Sequence, residues 1–252
     1  MLFKNYTYIF VIIFYSFSIN WYSANIGILP IDTFGFFDTG YNILKGQLPV
    51  RDYWSYTGLI VDYFQSLFFF IFGNNWNSYV VHGSIMNVLA TLVFYFFLKH
   101  LKISQNFCLF YCLSFATLHY PVSGTPYAYL HAYTFSLIGM MLFFLLNNTK
   151  HNKLLFLVPI IFFLAFFSMQ TPTIYIIFLM IISMIFITLR DKDYTILKQF
   201  FFGAFVAILF LIIYLLVSKT NFTDLLYQYF LFPITIAESR VSSDVGAYVK
   251  FA

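Results

Sequence analysis

Charged side chains are scarce in this sequence, making up 9% of its 252 residues. Soluble globular chains carry roughly a quarter charged residues, so an ordinary soluble domain does not fit. Hydrophobic residues make up 62% instead. A membrane-spanning helix needs roughly 20 apolar residues, so the length allows about six to eight spans plus loops. The composition therefore predicts an all-α, polytopic membrane protein without a separate soluble domain.

Cysteine is also rare, and its placement indicates packing rather than chemistry. Cys108 and Cys112 stand four residues apart within an apolar run, a spacing that puts both on one helix face. The 13 Lys and Arg are scattered along the chain, which argues against a nucleic-acid partner. No phosphate-cradling or dinucleotide-binding glycine motif occurs. These absences exclude a disulfide scaffold and a nucleotide-binding enzyme.

Apolar windows separated by short polar breaks indicate the spans. They cover residues 8–29, 58–72, 78–98, 107–120, 127–146, 154–168, 174–189 and 200–218. If every window crossed the membrane, the basic loops around Lys99 and Arg190 would lie outside, against the positive-inside rule. The second window is short and carries Asp62 and Gln65, so we interpret it as an interfacial or re-entrant helix. The prediction is about seven spans with a cytoplasmic N-terminus.

This topology leaves two outer segments on a single domain of residues 1–252. The first outer loop, residues 30–77, and the second outer segment, residues 219–252, hold seven of the nine acidic residues. No Asp, Glu, Lys or Arg lies in the middle of any of the seven spans, which counts against ion-coupled transport. We therefore expect the functional surface on the outer face.

Two carboxylates in the first outer loop are candidates for acid–base chemistry. Asp32 and Asp38 follow the first span beside three phenylalanines. Partial desolvation by these rings suits a carboxylate to act as a general base near neutral pH. The alternative interpretation is that both are ordinary loop acids, with Asp38 capping a short helix over residues 39–45.

Short motifs after these acids carry a family resemblance. They are Ile43-Leu44-Lys45-Gly46, Pro49-Val50-Arg51-Asp52-Tyr53 and a run that ends at Phe72-Gly73. This order resembles the GT-C superfamily of membrane glycosyltransferases, which includes protein mannosyltransferases and lipid A aminoarabinose transferases. The resemblance covers roughly residues 1–190. In the family the acid stands about fourteen residues before the glycine, a spacing that Asp32 meets and Asp38 does not.

The resemblance implies a chemistry and a set of site residues. The donor would be a sugar on polyprenyl phosphate, and the acceptor would be a hydroxyl of a lipid, glycan or protein. Asp32 or Asp38 would take the acceptor proton, while Arg51, beside Asp52, would bind the leaving phosphate. His82, where family members often carry arginine, would face the donor.

The sequence departs from the family in two places. Members usually have a second acidic residue in the next outer loop, whereas residues 120–131 contain none. Tyr129 or His131 would take its place in substrate binding. The sequence identifies no cofactor with certainty. The histidines lack a third ligand and do not predict a zinc site, and the need for a divalent metal stays an open question. The chain is about half the usual family length, so we expect an incomplete or truncated form.

Two other functions remain as alternatives. A transporter, flippase or polymerase of surface polysaccharide would need polar groups inside the spans. A non-catalytic membrane subunit would fit the absent second acid and the short chain. The resemblance favours the glycosyltransferase, as an integral protein of the bacterial inner membrane.

Overall fold

The protein is built from helices, as seen in a computed structural model. The structure describes residues 2–27, 30–55, 58–147, 152–236 and 238, without the side chains of residues 2–5, 30–32 and 152. Within these ranges the helices are α1 (Leu2–Ala24), α2 (Pro30–Leu44), α3 (Leu59–Phe72), α4 (Trp76–His100), α5 (Gln105–Leu118), α6 (Ala128–Leu146), α7 (Leu157–Ser168), α8 (Gln170–Asp191), α9 (Thr195–Ser218) and α10 (Phe222–Leu226). A π-helical turn, Tyr227–Leu231, follows α10.

Four helices in the described part of the chain are long and apolar enough to cross a membrane: α4, α6, α8 and α9. Two further segments, Leu59–Phe72 and Lys153–Ser168, are apolar but shorter. The all-α prediction is thus confirmed, and the protein has the helices of a membrane protein.

Successive helices run back and forth between two ends of the bundle, which we name after the ends of α4. At the Trp76 end, the Trp76 Nε1 donates to Asn25 Oδ1 at 3.1 Å, and Asn20 Nδ2 donates to the Gly124 carbonyl oxygen at 2.9 Å. At the Lys99 end, the Lys99 Nζ donates to a glutamine at the start of α5. The turn after α1, the start of α4 and the segment between α5 and α6 therefore gather at the Trp76 end.

Apolar side chains between the helices form the core. One cluster joins α6, α7, α8 and α9 and includes Phe143, Val158, Phe162 and Met184. A second joins α1, α4 and α5 and contains Cys108 and Cys112, both free and fully buried. The interpretation of the two cysteines as packing residues is consistent with this position.

Helix α2 corrects one prediction. A helix was expected only over residues 39–45, but α2 begins at Pro30, a residue that suits the first helical position because it lacks an N–H. Asp38 therefore lies inside the helix and does not cap it. The first span was expected to reach residue 29, whereas α1 ends at Ala24.

The close crossing of α9 and the segment before α7 yields a stability prediction. A Cβ on Gly203 would overlap the Phe156 carbonyl oxygen, a backbone atom that cannot turn away. We expect Gly203→Ala to destabilise the protein by about 1–3 kcal/mol, the usual cost of overpacking. The measurement is the thermal unfolding midpoint in detergent, which should fall by roughly 2–10 °C.

Gly139→Ala is the matched control, because it makes the same change within a membrane-length helix. The three atoms nearest to its added Cβ belong to the Phe162 ring, the closest at 3.2 Å, and a ring can shift by a few tenths of an ångström. Helix propensity favours alanine by up to about 1 kcal/mol, so we expect little net change. Equal midpoints for both variants would contradict the packing argument.

Candidate functional site

A polar cleft of about 420 Å³ opens at the Trp76 end of the bundle. Four segments form its walls: the loop that leads into α3, the start of α6, the junction of α7 with α8, and the chain after α10. The lining residues are Trp54, Ser55, Gly58, Tyr129, Ser168, Met169, Gln170, Thr171, Gln228, Tyr229, Phe232, Pro233 and Ile236. Aromatic rings, hydroxyls and amides therefore share one concave surface.

The junction of α7 and α8 is irregular, and this irregularity shapes the cleft. Met169 is extended, with φ −160° and ψ 130°, and Thr171 has a non-helical φ of −98° and ψ of 127°. Pro172 follows and has no N–H to donate. Backbone and side-chain groups of this turn are consequently left outside the helical hydrogen-bond ladder and can face the cleft.

Gln228 fixes the loop that carries Trp54. Its Oε1 accepts from the Ser55 backbone N–H at 3.0 Å, and its Nε2 donates to the Val50 carbonyl oxygen at 3.1 Å. Val50 has φ of +71°, a left-handed conformation that is strained for a β-branched residue. Both ends of the amide are thus used to hold a loop that would otherwise relax.

Tyr229 joins the cleft to the helices beneath it. Its hydroxyl accepts from the Leu59 backbone N–H at 2.7 Å and donates to the Phe167 carbonyl oxygen at 3.0 Å. Its own carbonyl oxygen accepts from Gln170 Nε2 at 3.1 Å. The side chain is 2% exposed, and burial raises the pKa of its phenol, so it stays neutral.

An apolar groove of about 350 Å³ lies next to the polar cleft, between α3, α7 and α9. Leu59 and Phe167 line the groove, while their neighbours Gly58 and Ser168 line the cleft, so the two cavities share this wall. Tyr63 and Tyr214 are the groove's hydroxyl-bearing residues. The other lining residues are Ile60, Ile160, Phe163, Leu164, Ala207, Phe210 and Leu211.

Hydrogen bonds connect the mouth of the groove to the first outer loop. The Tyr63 hydroxyl donates to the Tyr214 hydroxyl at 3.3 Å, and Tyr214 donates to the Pro49 carbonyl oxygen at 3.4 Å. Arg51, two residues later, donates through Nη1 to the Ser218 carbonyl oxygen at 2.7 Å, at the end of α9. The loop is therefore seated on top of the groove.

Arg51 and Asp52 form a two-pronged ion pair in this loop. Arg51 Nε donates to Asp52 Oδ1 at 2.9 Å and Nη2 donates to Oδ2 at 2.6 Å. The Leu48 backbone N–H adds a third hydrogen bond, at 2.8 Å. The guanidinium, helped by this N–H, lowers the pKa of the Asp52 carboxyl to about 2, so it is ionised at any physiological pH.

The two candidate bases lie in α2. Asp38 is exposed, and its Oδ2 accepts only a long hydrogen bond, 3.4 Å, from Asn42 Nδ2. The expected desolvation of Asp38 by the neighbouring phenylalanines is therefore wrong. Asp32 belongs to the backbone of α2, but its side chain lies outside the described residues.

Two polar residues on α3 face the protein interior. Asp62 is fully buried and accepts from the Thr39 hydroxyl of α2 at 2.7 Å. Gln65, also fully buried, contacts His82 Nδ1 of α4 through Oε1 at 2.9 Å. Because a spacing of three residues places side chains on one helix face, these two define a polar stripe on α3.

His82 and His131 form a buried pair between α4 and α6. Their Nε2 atoms are 3.0 Å apart, so one ring must donate and the other accept. His131 Nδ1 lies 2.9 Å from the Tyr120 hydroxyl and 3.1 Å from the Tyr127 carbonyl oxygen. Gln65, His82, His131 and Tyr120 therefore make one continuous hydrogen-bonded chain, which we call the histidine network.

The structure separates the residues that were grouped as substrate-binding. Tyr129 lines the polar cleft, and Arg51 and Asp52 lie in the loop that leads to it. His82 and His131 line neither cavity and pair with each other instead. Among the described residues, no group of three or more His, Cys, Asp or Glu could hold a metal ion.

Sequence reasoning missed the inward-facing role of several polar residues. Asp62 and Gln65 marked their window as interfacial, although their spacing of three also predicts a common face that a partner could cover. Gln228 and Tyr229 carried no signal, because their partners Ser55 and Leu59 lie about 170 residues away in the chain.

The histidine network generates a stability prediction. His131→Phe would remove the partner of His82 Nε2 and one hydrogen bond of the Tyr120 hydroxyl, and each unsatisfied buried group costs about 1–3 kcal/mol. We expect a loss of about 2–4 kcal/mol, measured as unfolding free energy in detergent. His100→Phe, the same change at an exposed position, should alter stability by less than about 0.5 kcal/mol.

A double-mutant cycle tests the coupling directly. His82→Phe should cost less in the His131→Phe background than in the native protein, by about 0.5–3 kcal/mol, because the shared hydrogen bond is already gone. Strictly additive losses would show that the two rings do not interact.

No protein-family model matches this chain, and no curated protein or solved structure matches it significantly. The geometry described above therefore carries the functional argument, together with the motifs of the first outer loop.

Proposed function

We propose that this chain is a membrane glycosyltransferase that moves a sugar from a polyprenyl-phosphate donor to a hydroxyl acceptor at the outer membrane face. In this proposal the chain belongs to the bacterial inner membrane and crosses it seven times. Its N-terminus is cytoplasmic and its Trp76 end is outside. Helices α1, α5 and α7 join the four membrane-length helices as spans, and α2 and α3 are interfacial.

One observation carries the proposal: an apolar groove and a polar cleft of small-molecule size share a wall. Gly58 lines the cleft, and the next residue, Leu59, lines the groove. A polyprenyl-phosphate sugar has the same two parts, an apolar chain and a polar head. The groove offers apolar surface to the chain, and the cleft offers aromatic and amide groups to the head.

Arg51 has the capacity to bind the phosphate between them. Three of its five N–H donors are used, on Asp52 and on the Ser218 carbonyl oxygen, so two remain. It precedes Trp54 of the cleft by three residues, which keeps their Cα atoms within about 11 Å. The loop that holds it rests on the tyrosines of the groove. A guanidinium at this place could contact a phosphate at the junction of chain and head.

Asp32 is proposed as the general base, with Asp38 as the second candidate. The base would take the acceptor hydroxyl proton as the oxygen attacks the anomeric carbon, and the bond to phosphate would break in the same inverting displacement. The spacing of Asp32 from Gly46 supports this order of preference. The exposure of Asp38 leaves it free to meet an acceptor but gives it no special environment.

A transporter is the second candidate function, and the buried His82–His131 pair favours it, since ionisable residues inside spans often mark ion pathways. However, neither the polar cleft nor the apolar groove is lined by these histidines. A deletion strain that accumulates lipid-linked glycan on the inner leaflet would support transport over transfer.

The first functional prediction concerns Asp32. Asp32→Asn in the full chain should lower transfer from a radiolabelled polyprenyl-phosphate sugar by at least about 100-fold, because the amide cannot accept the acceptor proton. Asp224→Asn, the same change at an exposed acid in α10, should leave transfer unchanged. Full activity of the Asp32 variant, with normal membrane insertion, would show that Asp32 is not the general base.

The second functional prediction concerns topology. Alkaline phosphatase fused after Lys102, between α4 and α5, should be inactive, because that loop is proposed to be cytoplasmic. A fusion after Val122, between α5 and α6, should be active. Periplasmic activity at the first site would overturn the seven-span arrangement, whatever the enzyme does.

A further inference from the structure

Two half-exposed aromatic rings line the polar cleft. Trp54 is 40% exposed, and its ring is held edge-on by Tyr227 and Phe232, at centroid distances of 5.9 and 4.7 Å. Tyr129, also 40% exposed, stacks on Tyr127. The supporting contacts fix the direction of each ring while leaving part of its surface open. Fixed, partly exposed rings are suited to stack on a flat apolar face of a ligand.

Polar residues with unused hydrogen-bonding capacity also line the cleft. Ser55 lines the cleft, and its hydroxyl is buried and has no hydrogen-bond partner among the described residues. Gln170 uses Nε2 on the Tyr229 carbonyl oxygen, which leaves Oε1 as an acceptor. The Ser168 hydroxyl donates within its own helix and can still accept. An unpaired buried hydroxyl costs free energy that a ligand hydroxyl would recover.

The cleft is also neutral along its described lining. Its polar residues are serine, threonine, glutamine, tyrosine and tryptophan, and none of the described lining residues is charged at neutral pH. The ion pair Arg51–Asp52, close in sequence to Trp54, does not belong to the cleft lining. A charged ligand group would lose water here without gaining an opposite charge, which is unfavourable.

We infer that the polar cleft binds an uncharged sugar ring, stacked against Trp54 and hydrogen-bonded by Ser55 and Gln170. A pyranose or furanose ring combines an apolar C–H face with a rim of hydroxyls, and the cleft offers a surface for each. Its volume of about 420 Å³ lies within the usual range of small-molecule sites. This inference rests on the proposed function and deepens it, because it selects neutral sugars over amino sugars and uronic acids.

Ligand binding to the full chain in lipid nanodiscs tests the inference. The probes are methyl α-mannopyranoside and methyl α-glucopyranoside, both neutral, and methyl glucosaminide and methyl glucuronide, both charged. Saturation-transfer NMR should give binding of at least one neutral glycoside that is roughly tenfold tighter than that of either charged probe. Trp54→Ala should weaken the neutral ligand roughly tenfold, whereas Trp76→Ala, at the same end but outside the cleft, should not.

A charge-introducing variant keeps the test informative if Trp54→Ala fails to fold. Thr171→Asp places a carboxylate in the cleft, at a side chain that makes no side-chain hydrogen bond to any described residue. It should shift the preference roughly tenfold toward the protonated glucosaminide. Thr223→Asp, an exposed position outside the cleft, is its matched control and should shift nothing.

The outcomes separate this inference from the proposed function. Neutral binding with the expected variant effects supports the inference even if no polyprenyl-phosphate sugar is transferred, in which case the proposed function fails alone. Transfer from a charged amino-sugar donor only, unaffected by Thr171→Asp, would overturn the inference and leave the proposed function standing. Absence of neutral glycoside binding at tens of millimolar would also overturn it.

Discussion

Burial of the polar face of α3 is the constraint on which both cavities depend. Asp62 and Gln65 are fully enclosed in an apolar chain, where polar groups without hydrogen bonds are costly. Thr39 donates to Asp62, and His82 contacts Gln65 Oε1, so any rotation of α3 about its axis would break both contacts. With that face fixed inward, Tyr63 and its neighbours must turn toward α7 and α9. The position of the groove thus follows from the inward orientation of the polar stripe on α3.

The chain after α10 completes the arrangement from the opposite side. Gln228 and Tyr229 bind backbone groups of the first outer loop, of the start of α3 and of the end of α7. These backbone groups belong to non-helical or terminal positions, which have no partner within a helix. Gln228 and Tyr229 therefore form hydrogen bonds with otherwise unpaired backbone groups of the loop, of α3 and of α7. These hydrogen bonds hold the wall between cleft and groove in place.

The sequence predicted what short-range patterns determine. Apolar windows located the helices, and adjacency paired Arg51 with Asp52. Helix α2 was predicted too short, because the expected helix began at Thr39 whereas α2 begins at Pro30. A Cβ at Gly40 would lie 2.6 Å from Gln65 Cγ, so glycine there serves close approach of α2 and α3 rather than a turn. Contacts between residues far apart in the chain, such as His82 and His131, leave no periodic signal.

The few polar residues are divided between two tasks, and the division follows from charge. The ionised pair Arg51–Asp52 lies in an exposed loop, where water solvates its charges and two guanidinium donors stay available. The cleft relies on amides and hydroxyls, which give direction to hydrogen bonds without the desolvation cost of a full charge. Uncharged hydrogen-bonding groups can therefore select a ligand close to the apolar groove.

The histidine network belongs to neither task, because each of its rings already bonds through both nitrogens to protein groups. Its effect on the cleft is indirect, through the orientation of α3.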